Sequence, residues 1–220
     1  MKIAGFGDSI TAGLFVAAED AYLSRLAVQW AAEAVNAGVP GNTSAQGLSR
    51  FERDVLDRRP DVCVVAFGMN DHTAVAANTA KVQLPAFERN LALICGKLLA
   101  VRIVPVLCTI HPILEGDGEH YYYSRHPREW YVRPAGAQAW IDAYNEAVRR
   151  VAGSVGAALA DVARCWERYV ERGGEVADLL RTRANSGSDD GVHPTAEGHR
   201  LYATCIGEAM RNQILKGEGK

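Results

Sequence analysis

The 220-residue chain lacks an excess of charge of either sign, with 24 Lys+Arg against 26 Asp+Glu and a formal net charge of −2 at pH 7. A protein that grips nucleic acid or an anionic bilayer carries enough basic surface to tip that balance, so neither nucleic acid nor stable membrane association is expected. Paired metal motifs are missing too. The five cysteines, Cys63, Cys95, Cys108, Cys165 and Cys205, form an odd set with no CxxC and no zinc-type Cys/His spacing. Most sit in apolar runs (VCVV, LICG, VLCT), where a reduced thiol acts as a small hydrophobe. No stretch reaches 18 apolar residues, and the opening MKIAGFGDSITAG breaks at Gly5 and Gly7, where a leader needs an unbroken apolar run. A cytoplasmic protein is expected. No repeat and no low-complexity linker divides the chain, so residues 1–220 read as one domain.

What is present is an ordinary globular composition, 48% hydrophobic and 23% charged, in a chain long enough to bury roughly 70% of its unfolded surface. Lys2 to Phe6 reads as a buried strand ended by Gly-Asp-Ser, and residues 20–35 as an amphipathic helix with Asp20 near its start. A brief strand running into Asn36, a loop and a helix from about Ser44 to Asp57 follow. Asp61 to Phe67 (DVCVVAF) is a β-branched run buried on both faces. The alternation continues with a helix over 80–100, a strand over Arg102–Thr109, a helix over 136–152, a short strand over Gly156–Asp161 and a closing helix over Thr195–Leu215. Strands separated by helices imply βαβ units and a parallel sheet covered on both faces. The expected fold class is α/β, a three-layer α/β/α sandwich of flavodoxin-like type with about five parallel strands.

In such sheets ligands bind beyond the carboxyl ends of the strands. Read there in order, the chain offers Asp8-Ser9, Gly41-Asn42, Gly68-Met69-Asn70-Asp71 and His111, then Asp190-Gly191-Val192-His193-Pro194 before the last helix. A hydroxyl, backbone donors, a carboxamide, a carboxylate and an imidazole are the parts of a serine acyl-transfer site. Taken singly, each has a plainer reading: Ser9 and Asn70 as helix caps, Gly41 as a turn glycine, Asp190 as an Asx-turn residue in NSGSDDG, His193 as a capping or core histidine. His199, six residues after His193, reads as structural.

Together they carry a resemblance. GDSI at Gly7 to Ile10, the N-x-G-x-x-G spacing of Asn36, Gly38 and Gly41, GMND at Gly68 to Asp71 and DGVHP at Asp190 to Pro194 resemble the four blocks of the SGNH hydrolases, the GDSL esterase/lipase family. They occur in the family's order and span nearly the whole chain. Ile10 replaces the family's leucine, a conservative exchange. The resemblance implies an esterase that needs no cofactor and no metal, acting on a small-molecule ester. It implies Ser9 as nucleophile, His193 as general base and Asp190 as the carboxylate that orients it, with an oxyanion hole from the backbone N–H groups of Ser9 and Gly41 and the amide of Asn70. Asp8 and Asp71 would fix the loops around them. A serine hydroxyl needs such a base, and an imidazole with an ordinary pKa near 6.5 takes and returns a proton near neutrality.

The irregular stretch 111–135 is too long for an idle connection. It interleaves Tyr121, Tyr122, Tyr123, Trp130 and Tyr131 with Arg125, Arg128 and Arg133, and its leading reading is a substrate lid or pocket wall, with His111, Tyr122, Tyr123 and Trp130 as substrate-binding residues. A homo-oligomer interface and plain packing are the alternatives. A metal cluster of His111, His120 and His126 matches no standard spacing. For the activity, short-chain acyl or acetyl esters, including those of carbohydrates, lead; a lysophospholipase or thioesterase is the alternative acyl hydrolase. The rival of another class is an inert SGNH-like module that binds carbohydrate or a partner. A dinucleotide module fails because Ile10 stands where the fingerprint needs its third glycine.

Overall fold

The computed structural model describes residues 1–218. Its strands are β1 (Lys2–Gly7), β2 (Glu33–Gly38), β3 (Val62–Ala66), β4 (Ala74–Ala76), β5 (Thr79–Ala80), β6 (Val104–Cys108) and β7 (Ala158–Ala160). Five of them form one parallel sheet in the order β2-β1-β3-β6-β7, while β4 and β5 pair as a small separate hairpin. The helices are α1 (Ser9–Ala12), α2 (Tyr22–Gln29), α3 (Ser44–Asp54), α4 (Leu84–Ala100), α5 (Ala137–Val155), α6 (Val162–Glu171), α7 (Val176–Leu179), α8 (Arg183–Ser186) and α9 (Ala196–Glu218). α3, α4 and α5 pack side by side on one face; α2 and α9 cover the other, with α6 and α7 against α9. This is the expected three-layer α/β sandwich with five parallel strands.

The sequence explains this arrangement layer by layer. β3 is buried through Val62–Val65 because helices cover both of its faces, which is why it reads as a continuous apolar run. On the α3–α4 side Phe6 packs against Phe51 and Phe67 at centroid distances of 5.5 and 5.0 Å. On the α9 side Tyr202 stacks with Tyr22 at 5.7 Å and meets Trp166 edge-on at 6.5 Å. α3 starts at a capping box in which Thr43 and Gln46 satisfy each other's backbone N–H groups.

Three elements differ from the sequence reading. The helix expected over 20–35 stops at Gln29, and Glu33–Gly38 instead pairs in parallel register with Lys2–Gly7. Strand pairing overrides the helical leaning of the Ala/Glu-rich AAEAV. Asp20 does not cap that helix; its carboxylate takes the Arg25 guanidinium. The helix expected from residue 80 begins at Leu84, with Pro85 in its first turn, because Ala80 belongs to the β4–β5 hairpin. An amphipathic helix that the reading passed over, α6, is capped by Asp161 and buries Val162 and Trp166 against α9. Among the described residues no helix is long and apolar enough to cross a membrane.

The sheet order sets the site. From β1 the chain turns outward to β2, then crosses to β3 on β1's other side, so the carboxyl ends of β1 and β3 flank a switch-point crevice. Ser9 lies two residues past β1, after its cap Asp8, and Asn70 lies four residues past β3.

Candidate active site

β1 ends at a glycine for a steric reason. A Cβ on Gly7 would lie 2.2 Å from Thr11 Oγ1 and 2.4 Å from the Ala66 carbonyl oxygen, so only glycine lets β1 run this close to β3. Asp8 then caps α1 by accepting the Ile10 N–H at 3.0 Å. Ser9 opens that helix, so its own N–H is one of the orphan donors of a helix start.

At the other end of the chain, Asp190 folds a tight turn by accepting the N–H groups of Val192 and His193 at 3.0 and 3.1 Å. The same carboxylate receives His193 Nδ1–H at 2.9 Å. The Asx-turn and the orienting role are therefore one structure. With Nδ1 donating to a carboxylate, Nε2 is left as acceptor, and Ser9 Oγ lies 3.0 Å from it. Burial alone would raise the Asp190 carboxyl pKa, but the His193 ring and the two backbone N–H groups hold it below the usual range. Asp189 turns away, to His120 and Arg183.

Asn70 reaches the same cavity, and its amide donates to Asp8 Oδ2 at 3.1 Å and to the Asn42 carbonyl at 3.2 Å. That second bond ties the Gly41–Asn42 loop to β3's end. Gly41 sits in the left-handed region at φ +78°, exposed, and does not line the cavity wall. Asp71 holds the start of α3 through the N–H and hydroxyl of Ser44 at 2.9 and 2.5 Å. Burial pushes Asp8 up to about 7, aided by the charge of Asp71, and pushes Asp71 up to about 6.

The cavity, of about 370 Å³, is lined by Ser9, Phe15, Met69, Asn70, Thr73, Lys81, Tyr122, Arg125, His126, Ser188, Asp190, Val192 and His193. Of the four substrate-binding candidates, only Tyr122 is among them. His111 is fully buried behind the site: Nε2 donates to the Val192 carbonyl at 2.7 Å, Nδ1 accepts from Tyr202 at 2.6 Å, and the ring stacks on Trp166. It braces the turn that carries His193 and cannot meet a substrate; burial depresses its pKa to about 3. Tyr123 is also turned inward, donating to Glu115 at 2.6 Å and accepting the Ala137 N–H at 2.8 Å. Trp130 packs on the core edge, where its carbonyl accepts the Asn78 N–H at 2.9 Å. The supposed metal trio has separate partners, with His120 on Asp189 and His126 stacked on Tyr122.

The 111–135 segment is fastened to the loop after β3 by a buried relay whose direction valence fixes. The Ala74 N–H donates to Tyr131 Oη at 3.0 Å, Tyr131 donates to Tyr122 Oη at 2.8 Å, and Tyr122 donates to His72 Nε2 at 3.1 Å. His72 Nδ1–H closes it on the Gly68 carbonyl at 3.1 Å. Arg125 donates to the carbonyls of Asp189 and Asp190, and the Leu114 N–H to that of Gly191. The stretch is an anchored wall rather than a hinged lid.

Sequence reasoning missed Phe15 and Arg181. Phe15, at φ +70°, sets its ring edge against His193 at 5.0 Å, and the Arg181 guanidinium lies over Phe15 at 4.6 Å with its Nε 3.8 Å from Asp190 Oδ2. No motif marks either residue; the contact joins positions 166 apart.

A parallel switch-point sheet with a serine, an imidazole and a carboxylate hydrogen-bonded in series at its carboxyl edge is the architecture of an SGNH-type serine hydrolase. Residues 6–201 match the model of the GDSL-like Lipase/Acylhydrolase family, and the chain belongs to that family. It is 31% identical over 185 residues to the uncharacterized lipoprotein YqeF of Bacillus subtilis (strain 168), covering 83% of this chain and 74% of that protein. Among solved structures it resembles the acetyl xylan esterase AlAXEase, with a TM-score of 0.71, 26% identity, and coverage of 95% of this chain and 99% of that one. It also resembles the lipase/acylhydrolase from Enterococcus faecalis, with a TM-score of 0.71, 23% identity, and coverage of 96% and 95%.

Proposed function

We propose that the protein hydrolyses short-chain acyl or acetyl esters through an acyl-enzyme on Ser9. The observation that carries this reading is the hydrogen-bonded series from Ser9 Oγ to His193 Nε2 and from His193 Nδ1 to Asp190, opening into a cavity of about 370 Å³. Ser9 Oγ attacks the ester carbonyl as its proton passes to His193 Nε2, and Asp190 stabilises the imidazolium. The oxyanion takes hydrogen bonds from the Ser9 N–H and the Asn70 amide, whose residues line the cavity; the Gly41 N–H, outside that lining, is the third donor that the family resemblance implies. Both amide hydrogens of Asn70 already have acceptors, so one is shared between the oxyanion and its present partner. The tetrahedral intermediate collapses by expelling the alcohol, which leaves with the proton from His193. Water then enters, gives its proton to the same nitrogen and attacks the acyl carbon, releasing the acid and restoring Ser9.

Polar groups ring the lining, among them Thr73, Lys81, Arg125 and Ser188, which favours a short acyl group over a long chain. Similarity to an acetyl xylan esterase supports acetyl esters of carbohydrates as one substrate class. The test is a rate panel of 4-nitrophenyl esters from acetate to palmitate beside acetylated sugars, run with wild type and Ser9→Ala. The reading expects kcat/KM to peak at acetate to butyrate and to vanish in Ser9→Ala. A peak at palmitate would favour the long-chain acyl hydrolase instead.

A further inference from the structure

We infer that the wall facing Ser9 is an oxyanion-binding subsite, and that the ester this enzyme hydrolyses carries a carboxylate or phosphate besides the bond it cleaves. The inference rests on the esterase reading and adds the charge of the substrate.

Two cations line the catalytic cavity with no carboxylate partner among the described residues. Lys81 follows the β4–β5 hairpin and is anchored by its backbone N–H to the Thr73 carbonyl at 2.9 Å, while its ammonium makes no ion pair. Arg125 donates only to the carbonyls of Asp189 and Asp190, which hold the guanidinium in place without neutralising it. The acids around the site have partners of their own: Asp190, which also lines the cavity, has His193 and Arg181, Asp189 has His120 and Arg183, Asp8 has the Ile10 N–H and Asn70, and Asp71 has Ser44. Beside these cations His126 lies stacked on Tyr122 at 4.2 Å, with no hydrogen-bond partner among the described residues. Burial, Arg125 and Lys81 together push its pKa down to about 4, so it stands neutral with a free N–H to offer an anion.

The placement gives the subsite its purpose. Both cations line the cavity yet are exposed, so solvent and salt screen their field, but with no carboxylate paired to either of them they still draw in an anion. The two cations come from the hairpin and the 111–135 segment, both joined to the loop after β3 through the tyrosine–histidine relay. The Arg125 guanidinium is thereby set at one place beside Ser9's cavity, while Lys81 brings its charge on an anchored backbone and a free side chain.

Two matched ester pairs at pH 8 test this, each rate normalised to its hydroxide-catalysed hydrolysis. 4-Acetoxybenzoate against 4-acetoxybenzamide places the charge on the leaving group; 4-nitrophenyl hydrogen adipate against 4-nitrophenyl hexanoate places it on the acyl group. 4-Acetoxyphenyl phosphate then separates phosphate from carboxylate. At low salt, the anionic member of at least one pair is expected to win in kcat/KM by on the order of tenfold. That ratio shrinks in 0.5 M NaCl, falls in Lys81→Gln and inverts in Lys81→Glu. Ratios near one in both pairs, with neutral esters still cleaved in a Ser9-dependent way, overturn the subsite and leave the esterase standing. Failure of wild type to cleave even the neutral esters removes the esterase reading and this inference with it.

Discussion

The two walls of the catalytic cavity are built by opposite means. On one side Ser9 and His193 rest on turns only a few residues long, in which Asp8 caps its own helix start and Asp190 satisfies the backbone two and three residues ahead. On the other side Tyr122 and Arg125 are held by contacts between segments 50 residues or more apart, Tyr122 with His72 and Arg125 with Asp189, and His126 stacks on the Tyr122 so placed while Lys81 follows a hairpin. The first wall carries the proposed bond-breaking chemistry and is specified locally. The second shapes what enters and is specified only by the folded chain.

Damage to the first wall is expected to fall on turnover first and on stability second. Ser9→Ala and His193→Ala are each expected to lower kcat by about 10⁴-fold or more. Ser9→Ala, which loses one hydrogen bond at a sheet edge, should leave Tm little changed, whereas His193→Ala also strips the buried Asp190 carboxylate of a donor and should cost about 1–3 kcal/mol. Asn70→Ala comes next, at about 100- to 1000-fold in kcat. It also strips the buried Asp8 carboxyl of a donor, so urea melts should show a loss of about 1–3 kcal/mol. An Asn70→Ala protein with full activity would break the symmetry between the oxyanion loop and the triad.

The second wall should fail in the other order, stability before chemistry. Tyr122→Phe cuts the relay in the middle and leaves the buried His72 Nε2 without a donor, for an expected loss of about 1–3 kcal/mol by urea melts. Its effect on activity should be a rise in KM of a few-fold and little change in kcat. A large fall in kcat with unchanged KM would place this wall in the chemistry.

The smallest effect is shared by both walls and is read by pH. Burial lowers His72 and His199 to about 4, His111 to about 3, and His126, with the help of two cations, to about 4. Below about pH 6.5 the unfolded chain takes up protons at these sites that the folded chain refuses, so stability falls as pH drops. Asp8 and Asp71 act oppositely: their folded pKa values are raised to about 7 and about 6, so their contribution is lost as pH rises through those values. Four groups outweigh two, and Tm is expected to drop by several degrees between pH 7 and pH 5 in thermal melts. A Tm that rises on acidification would mean the carboxyls dominate.

The contrast between the walls also explains what could be read from the chain before its structure. The triad residues were legible through the resemblance of their blocks to the SGNH hydrolases, and the local geometry followed because D-x-x-H and G-D-S are short enough to form in a single turn. The parallel sheet was legible from β-branched runs such as VCVV. β2 was legible only in part: a brief strand running into Asn36 is expected there, but its first residues read as the end of a helix, since residues 33–35 lean helical and become strand by pairing with β1. His111 looked like a site residue because it follows a strand, yet its neighbours Tyr202 and Val192 lie more than 80 positions away and draw it inward. Lys81, Phe15 and Arg181 carry no local signal at all; they reach the site through a hairpin, a left-handed residue and a cation–π contact that only folding creates.

The central claim is that Ser9 is a nucleophile activated by His193, and reaction with a fluorophosphonate reads it directly. Intact-mass and peptide mapping of protein treated at pH 8 should show one adduct, on Ser9, lost in Ser9→Ala and much slowed in His193→Ala. Well-folded wild-type protein that stays unlabelled, or labels at another residue, would contradict the account.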